Sequence, residues 1–292
     1  MSKGLLDPKV DFVFKNIFGS PNHPEILISF LNATLKAKKK IVNVHIKKTD
    51  IEKQYIEDKY SRLDVKATTS NDEIINIEIQ LKNENNMVKR SLYYLSKMYE
   101  EQLNEKEDYS KLVRTVCINI LNFKYLKTDN FHTGYRFKEI ESNEELTDIM
   151  EVHFIEIPKL QDSSDEKDML VAWTEFLKDP ESEKVRGLEL SIEEIRQAKD
   201  ELIRMSNDST QRELYDMRAN SLRDKMSELN AAERKGIEKG REEGREEGRK
   251  EGIEEGRKEE KIEIARNMKL SGLDTNTIAK ITNLSEDEID KL

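Results

Sequence analysis

The sequence predicts an α/β domain followed by an all-helical extension. Three observations carry this expectation. Strand-like and helix-like segments alternate over the first 180 residues, strand signals stop after Asp179-Pro180, and a charged repeat with glycine at every fourth position fills 236–256. At 292 residues the chain has room for one sizeable core and something more. It is 38% charged and 36% hydrophobic with a mean hydropathy of -0.80, too polar for a compact fold throughout, so part of it must be exposed helix or linker.

Helices over 11–18 and 25–35 follow from Phe14, Ile17 and Phe18, then Ile26, Leu27, Phe30 and Leu31, at helical spacing, with Gly19-Ser20-Pro21-Asn22 between them. Strands follow over 41–46, 61–68 and 74–81, then a helix over 87–103 and a strand over 112–121. The 87–103 helix would bury Leu92, Leu95, Tyr99 and Leu103 and turn Arg90 and Tyr94 to another face. Further strands are expected at 135–140 and 153–157, and a helix carrying Trp173, Phe176 and Leu177 closes the globular part.

From Ser191 the chain reads as helix. Gly236, Gly240, Gly244, Gly248, Gly252 and Gly256 are separated almost entirely by Glu, Arg and Lys. Pairs such as Glu246 with Lys250 and Glu254 with Lys258 add a few tenths of a kcal/mol each, while each glycine costs roughly 0.8–1 kcal/mol relative to Ala, leaving a helix that is marginal alone. The glycine column is either a contact for a second helix, giving a homo-oligomer, or a flexible charged spacer. In 267–292, Asp274 caps one short helix and Ser285 with Glu288 forms a capping box for the next. The layout is that of a small helix-turn-helix, but Glu286, Asp287, Glu288 and Asp290 would repel phosphates, which favours protein contact.

Charge and cysteine content narrow the function classes. A net charge of -10 argues against coating nucleic acid by bulk electrostatics, although Lys36, Lys38, Lys39, Lys40, Lys47 and Lys48 make a local basic patch. The single Cys117, inside an apolar run, excludes a disulfide framework and reads as a buried thiol in a reducing compartment, the cytoplasm. No apolar stretch approaches the ~18 residues of a membrane span, and the N-terminus lacks the apolar run of a signal peptide. His23, His45, His132 and His153 are scattered without metal-ligand spacing, which argues against zinc.

The segments 61–68 and 74–81 make a hairpin through Thr69-Ser70-Asn71-Asp72-Glu73, a run of turn formers. With Thr68 paired to Ile74, Leu63, Val65 and Ala67 share an apolar face with Ile75, Ile77, Ile79 and Leu81. The other face sets Arg62, Asp64 and Lys66 against Asn76, Glu78 and Gln80, and Asp64 stands across from Glu78. Facing carboxylates repel, so the arrangement makes sense around a divalent cation taking oxygen ligands from both, Mg²⁺ first and Mn²⁺ or Ca²⁺ as alternatives. Such an ion polarises a phosphodiester and lowers the pKa of a bound water, which Gln80 would help to orient. On residues alone, the other reading is that both acids decorate the wet side of a hairpin.

The runs Leu6-Asp7-Pro8-Lys9-Val10-Asp11-Phe12-Val13-Phe14-Lys15, Leu63-Asp64-Val65-Lys66-Ala67, Asn76-Ile77-Glu78-Ile79-Gln80 and Arg90-Ser91-Leu92-Tyr93-Tyr94, in that order, resemble the Rpn family of recombination-promoting nucleases. That family, also labelled transposases, falls within the PD-(D/E)XK nuclease superfamily. The resemblance covers 1–180 and continues through the glycine repeat to the C-terminus. It implies a restriction-endonuclease-like α/β core, a mixed sheet flanked by helices, presenting an Asp and a Glu to Mg²⁺ and DNA. Asp64 matches the motif's Asp and Glu78 its second acid. Gln80 stands where the superfamily pattern has Lys, and Lys66 and Lys82 are the candidates to supply that charge. Asp11 would add an acid to the metal cluster or stabilise the start of its helix. Lys15, Lys66, Arg90 and Tyr94 are candidate substrate contacts.

The expected organisation is a nuclease domain over 1–180, a helical region over 191–266 and a small module over 267–292. The expected activity is a Mg²⁺-dependent DNA endonuclease tied to recombination, mobile elements or defence. The alternative is a catalytically inactive scaffold on the same fold that oligomerises through its C-terminal helices.

Overall fold

The structure is a computed structural model describing residues 4–37, 39–47, 64–165 and 167–292. Arg62, Leu63, Lys38 and Lys48, named above, lie outside the described residues, as does the beginning of the expected 61–68 strand. The chain divides into two units, Met1–Arg223 and Asp224–Leu292.

The first unit opens with helices α1 (Asp11–Phe18) and α2 (Pro24–Leu35). Pro24 starts α2 at a position where a missing N–H costs nothing, and Lys36 ends it in the left-handed conformation. Strands β1 (Val44–Lys47), β2 (Val65–Thr69) and β3 (Ile74–Gln80) follow, then helix α3 (Met87–Glu100) and strand β4 (Thr115–Leu121). Next come β5 (His132–Lys138) and β6 (Glu145–Glu156), the latter starting eight residues before the expected 153. Helices α4 (Met169–Lys178), α5 (Glu183–Ser191) and α6 (Glu193–Asn207) complete the globular part. Side chains of Asp168 and Ser182 cap α4 and α5.

The six strands form one mixed sheet in the order β1-β2-β3-β4-β6-β5. The central pairs β3·β4 and β4·β6 are parallel and the outer ones antiparallel. α3 supplies the crossover that parallel neighbours β3 and β4 require. The hairpin register is the expected one, Thr68 opposite Ile74 and Val65 opposite Ile77, which places Asp64 one step on from that pair, across from Glu78.

One sheet face carries Val65, Ala67, Ile75, Ile77, Ile79, Val116, Ile118 and Ile120, all buried in a core shared with α1, α2, α4 and α6. Its centre is aromatic: Phe18 stacks on Phe14 at 4.6 Å and meets Phe30 and Trp173 edge-on at 5.4 and 5.3 Å. α3 covers the other face, and here two expectations are corrected. Its buried side is Met87, Ser91, Tyr94, Leu95 and Met98, not the stripe through Leu92, which is 50% exposed. The face beneath it is not wet: Asn76, Glu78, Cys117 and Asn119 are all buried there. Ser91 lies inward because it has a partner, donating from Oγ to Asn119 Oδ1 at 2.8 Å.

Helix α7 (Ser209–Leu270) begins in the first unit and continues into the second, spanning 62 residues. Around its six repeat glycines nothing beyond the adjoining residues and the helix's own backbone lies within 4 Å of where a Cβ would stand. Lys239 and Glu243 form an i to i+4 pair on it at 3.6 Å. Two short helices follow, α8 (Thr275–Thr282), capped by Asp274, and α9 (Glu286–Asp290), opened by the Ser285–Glu288 capping box. Ala265, Ile278, Leu284 and Ile289 form their small core. Among the described residues no helix is long and apolar enough to cross a membrane.

Candidate active site

β3 is central in the sheet and buried on both faces, so its polar residues become an interior site. Glu78 is 1% exposed and Asn76 fully buried. Asn76 Nδ2 donates to Glu78 Oε1 at 3.4 Å, while Glu78 Oε2 and Asn76 Oδ1 are buried without a hydrogen-bond partner. Opposite, Asp64 precedes the first residue of β2, and its Oδ2 accepts the Ile79 backbone N–H at 2.7 Å. A carboxylate thus occupies the place of a backbone acceptor at the strand's end, which fixes its orientation on β3.

Burial pushes both carboxyls up to about 7, because loss of water penalises the charged form more than the neighbours restore. For Asp64 the charge of Asp11 adds to the rise, and the Ile79 N–H, Arg90 and Lys15 oppose it. For Glu78 the Asp64 charge adds to the rise, and Arg90 and Asn76 oppose it.

Arg90 comes from the first turn of α3 and faces Glu78, with Nε 3.4 Å from Oε2. Its guanidinium lies 5.3 Å from the Tyr94 ring centroid, so Tyr94, buried one turn on, supports it from behind. Asp11 and Lys15, one turn apart on α1, are near enough for their charges to act on Asp64. The fold therefore gathers Asp11, Lys15, Asp64, Glu78, Arg90 and Tyr94 from four elements. Gln80 is the last residue of β3 and half-buried, and Lys82 follows it in the turn. Lys66 is drawn elsewhere: its Nζ lies 3.6 Å from Glu101 Oε2, beside a groove of about 450 Å³ that Lys47 and Lys111 also line. The cation that meets Glu78 is Arg90 rather than Lys66.

Several participants gave no signal in the sequence. Asn76 stood out only as one of three alternating polar residues, and the Ile79 N–H is a backbone group. His132 and His153, remote in sequence, stack at 5.2 Å and hydrogen-bond at 2.9 Å, continued by Glu151 at 2.8 Å from His153. Arg114 bridges Glu73 and Glu151, so this network ties β5, β6 and β4 to the β2–β3 turn. Burial, followed by the neighbouring His153, lowers the pKa of His132 to about 4.

The donor set suits a hard divalent cation. Among the described residues no three His, Cys, Asp or Glu side chains are grouped to hold a metal, but Asp64 and Glu78 offer two carboxylates, one with a buried oxygen that accepts no hydrogen bond. Mg²⁺ keeps several waters and is commonly bound through one or two carboxylates plus substrate phosphates.

A family model described as PD-(D/E)XK nuclease family transposase matches residues 8–232. A second, described as Rpn/YhgA-like nuclease family, C-terminal HTH domain, matches 258–292. Comparisons with curated proteins and with solved structures give no match. With the first match spanning well over half of the chain, the mixed sheet flanked by helices is that of a family member: the chain belongs to the PD-(D/E)XK nuclease family transposases, with an Rpn-type C-terminal domain.

Proposed function

We propose that the protein is a divalent-metal-dependent DNA endonuclease whose cation is held by Asp64 and Glu78. The observation that carries this reading is the pair of facing carboxylates, both pushed up to about 7 by burial, with Glu78 Oε2 accepting no hydrogen bond and facing only the Arg90 guanidinium. Two buried acids without a cation are a burden on the fold, and a cation turns them into ligands. PD-(D/E)XK nucleases are generally metal-dependent, in keeping with this donor set.

When bound, the metal would supply Lewis-acid activation of a phosphodiester and a water of lowered pKa. The chain's own groups do the rest. Glu78, fixed by Asn76 on one oxygen, and Asp64, fixed by the Ile79 N–H, would hold the ion with carboxylates that are already oriented. Arg90, backed by Tyr94, offers a planar donor fork to phosphate beside the ion and stands in for the positive charge that Gln80 lacks. Lys15, exposed on α1 and near enough to act on Asp64, offers a positive charge to the phosphate backbone. Gln80 orients the attacking water from the end of β3. A role in recombination or mobile elements is in keeping with the transposase description, and defence against foreign DNA is the remaining reading.

Plasmid cleavage titrated with Mg²⁺ and Mn²⁺ is the test. Cleavage should require the metal and fall at least about 10²-fold in Asp64→Asn and in Glu78→Gln, the size expected when charge stabilisation at the reacting centre is removed. Metal-dependent cutting that survives both substitutions would place the site elsewhere. The scaffold reading draws support from one observation, the uncovered glycine column of α7, and predicts assembly without cleavage.

A further inference from the structure

Arg218 lies on the first turns of α7, outside the sheet and outside every motif quoted above. Its Nη1 donates to Asp11 Oδ2 at 2.7 Å, and its guanidinium stands 5.7 Å from the Phe12 ring centroid. Neighbours on the same stretch dock it there. Arg212 donates to the Gly4 carbonyl at 2.8 Å, Tyr215 Oη accepts the Asp7 N–H at 3.4 Å, and Leu222 packs against the main core. Asp11 is thus shared between two surroundings. It is near enough to Asp64 for the two charges to interact, yet it is not grouped with Asp64 and Glu78 in a set that would hold a metal.

We propose that Arg218 is a positioning residue that latches the Asp11 carboxylate away from the cation site, so that Asp11 joins Asp64 and Glu78 only when the Arg218–Asp11 pair opens. The inference rests on the metal-dependent reading above. It gives the start of α7 a purpose that packing alone does not: a guanidinium competes with a divalent cation for the same carboxylate. Both side chains of the pair are nearly half exposed, 43% and 46%, so water screens it and the latch opens easily. The expected effect is therefore modest, roughly two- to five-fold in cation affinity.

Calorimetric titration of the full chain with Mn²⁺ tests this in wild type, Arg218→Gln, Asp11→Asn and the double variant, with near-ultraviolet circular dichroism checking that each is folded. Arg218→Gln should tighten Mn²⁺ binding by roughly two- to five-fold, and Asp11→Asn should abolish that gain. Arg218→Lys, which keeps the charge, should stay near wild type. Tightening of equal size with and without Asp11 would mean that Arg218 acts only as a nearby positive charge, and no tightening at all would mean there is no latch; either overturns the proposal. Failure of the underlying reading looks different: an Asp64→Asn isotherm identical to wild type would show that the ion binds elsewhere, overturning both.

Discussion

Asp64 and Glu78 have ordinary values of 3.8 and 4.5 and are both raised to about 7 in the folded chain. The native state therefore holds protons that the unfolded chain releases, and the stability they contribute is fully present below about pH 4 and is lost as pH rises through about 7. Without metal, the unfolding free energy read from urea titration should fall between pH 5 and pH 8 by an amount on the order of a few kcal/mol, with the midpoint falling too. Glu78→Gln should flatten much of that slope and match or exceed wild-type stability at pH 8, since it removes a buried charge while keeping a polar group. Saturating Mg²⁺ should restore the wild type at pH 8 and do little for Glu78→Gln. A wild-type midpoint that climbs with pH would contradict the buried-acid picture. That Asp64 stands across from Glu78 was legible in the sequence, because a period-two pattern and a turn of known composition fix the hairpin register, whereas choosing them over a solvated pair rested on the family resemblance. Arg218 was not, because its meeting with Asp11, 207 residues away, depends on how α7 docks.

Among the elements, α3 shows why helical faces are misread. An apolar stripe through Leu92 is the natural choice when the surface beneath is assumed apolar, but the sheet offers Asn76, Glu78 and Asn119 there, so Ser91 turns inward and Leu92 outward. Substitution tells the two faces apart. Leu95→Ala and Met98→Ala should each cost about 2–5 kcal/mol, whereas Leu92→Ala should stay within about 0.5 kcal/mol, as read by denaturant unfolding. β6 was half legible for a related reason. Its first residues, Glu145 to Met150, mix polar and apolar side chains that are exposed or half-buried without alternation and give no strand signal, and only the buried end from Glu151 reads as sheet. β3 and β4, rich in isoleucine and buried along most of their lengths, were read to within one residue and, at the start of β4, three.

For the whole molecule, the helical extension was legible as helix from its charge pattern, while its continuity was not, given six glycines in one stretch. A chain ended after Arg223 keeps the complete sheet and the Arg218 contact. It should unfold cooperatively, and light scattering should show a smaller assembly than the full chain forms. An unchanged state of association would show that the later residues do not assemble it. Gly240→Ala and Gly248→Ala meet no atom in the isolated chain, so each should raise helix stability by about 0.8–1 kcal/mol if the column stands free; if a second helix packs on it, the same changes should weaken association. The open column has a further consequence for heredity. Nothing packs on the glycines and the one ion pair described within the repeat is a local, exposed one, so gain or loss of one four-residue unit in the coding sequence changes chiefly reach, by about 6 Å, and heading, by about 40° around the axis. Length variants of this spacer should therefore be inherited without a folding penalty, making the repeat the part of the chain most open to drift in copy number.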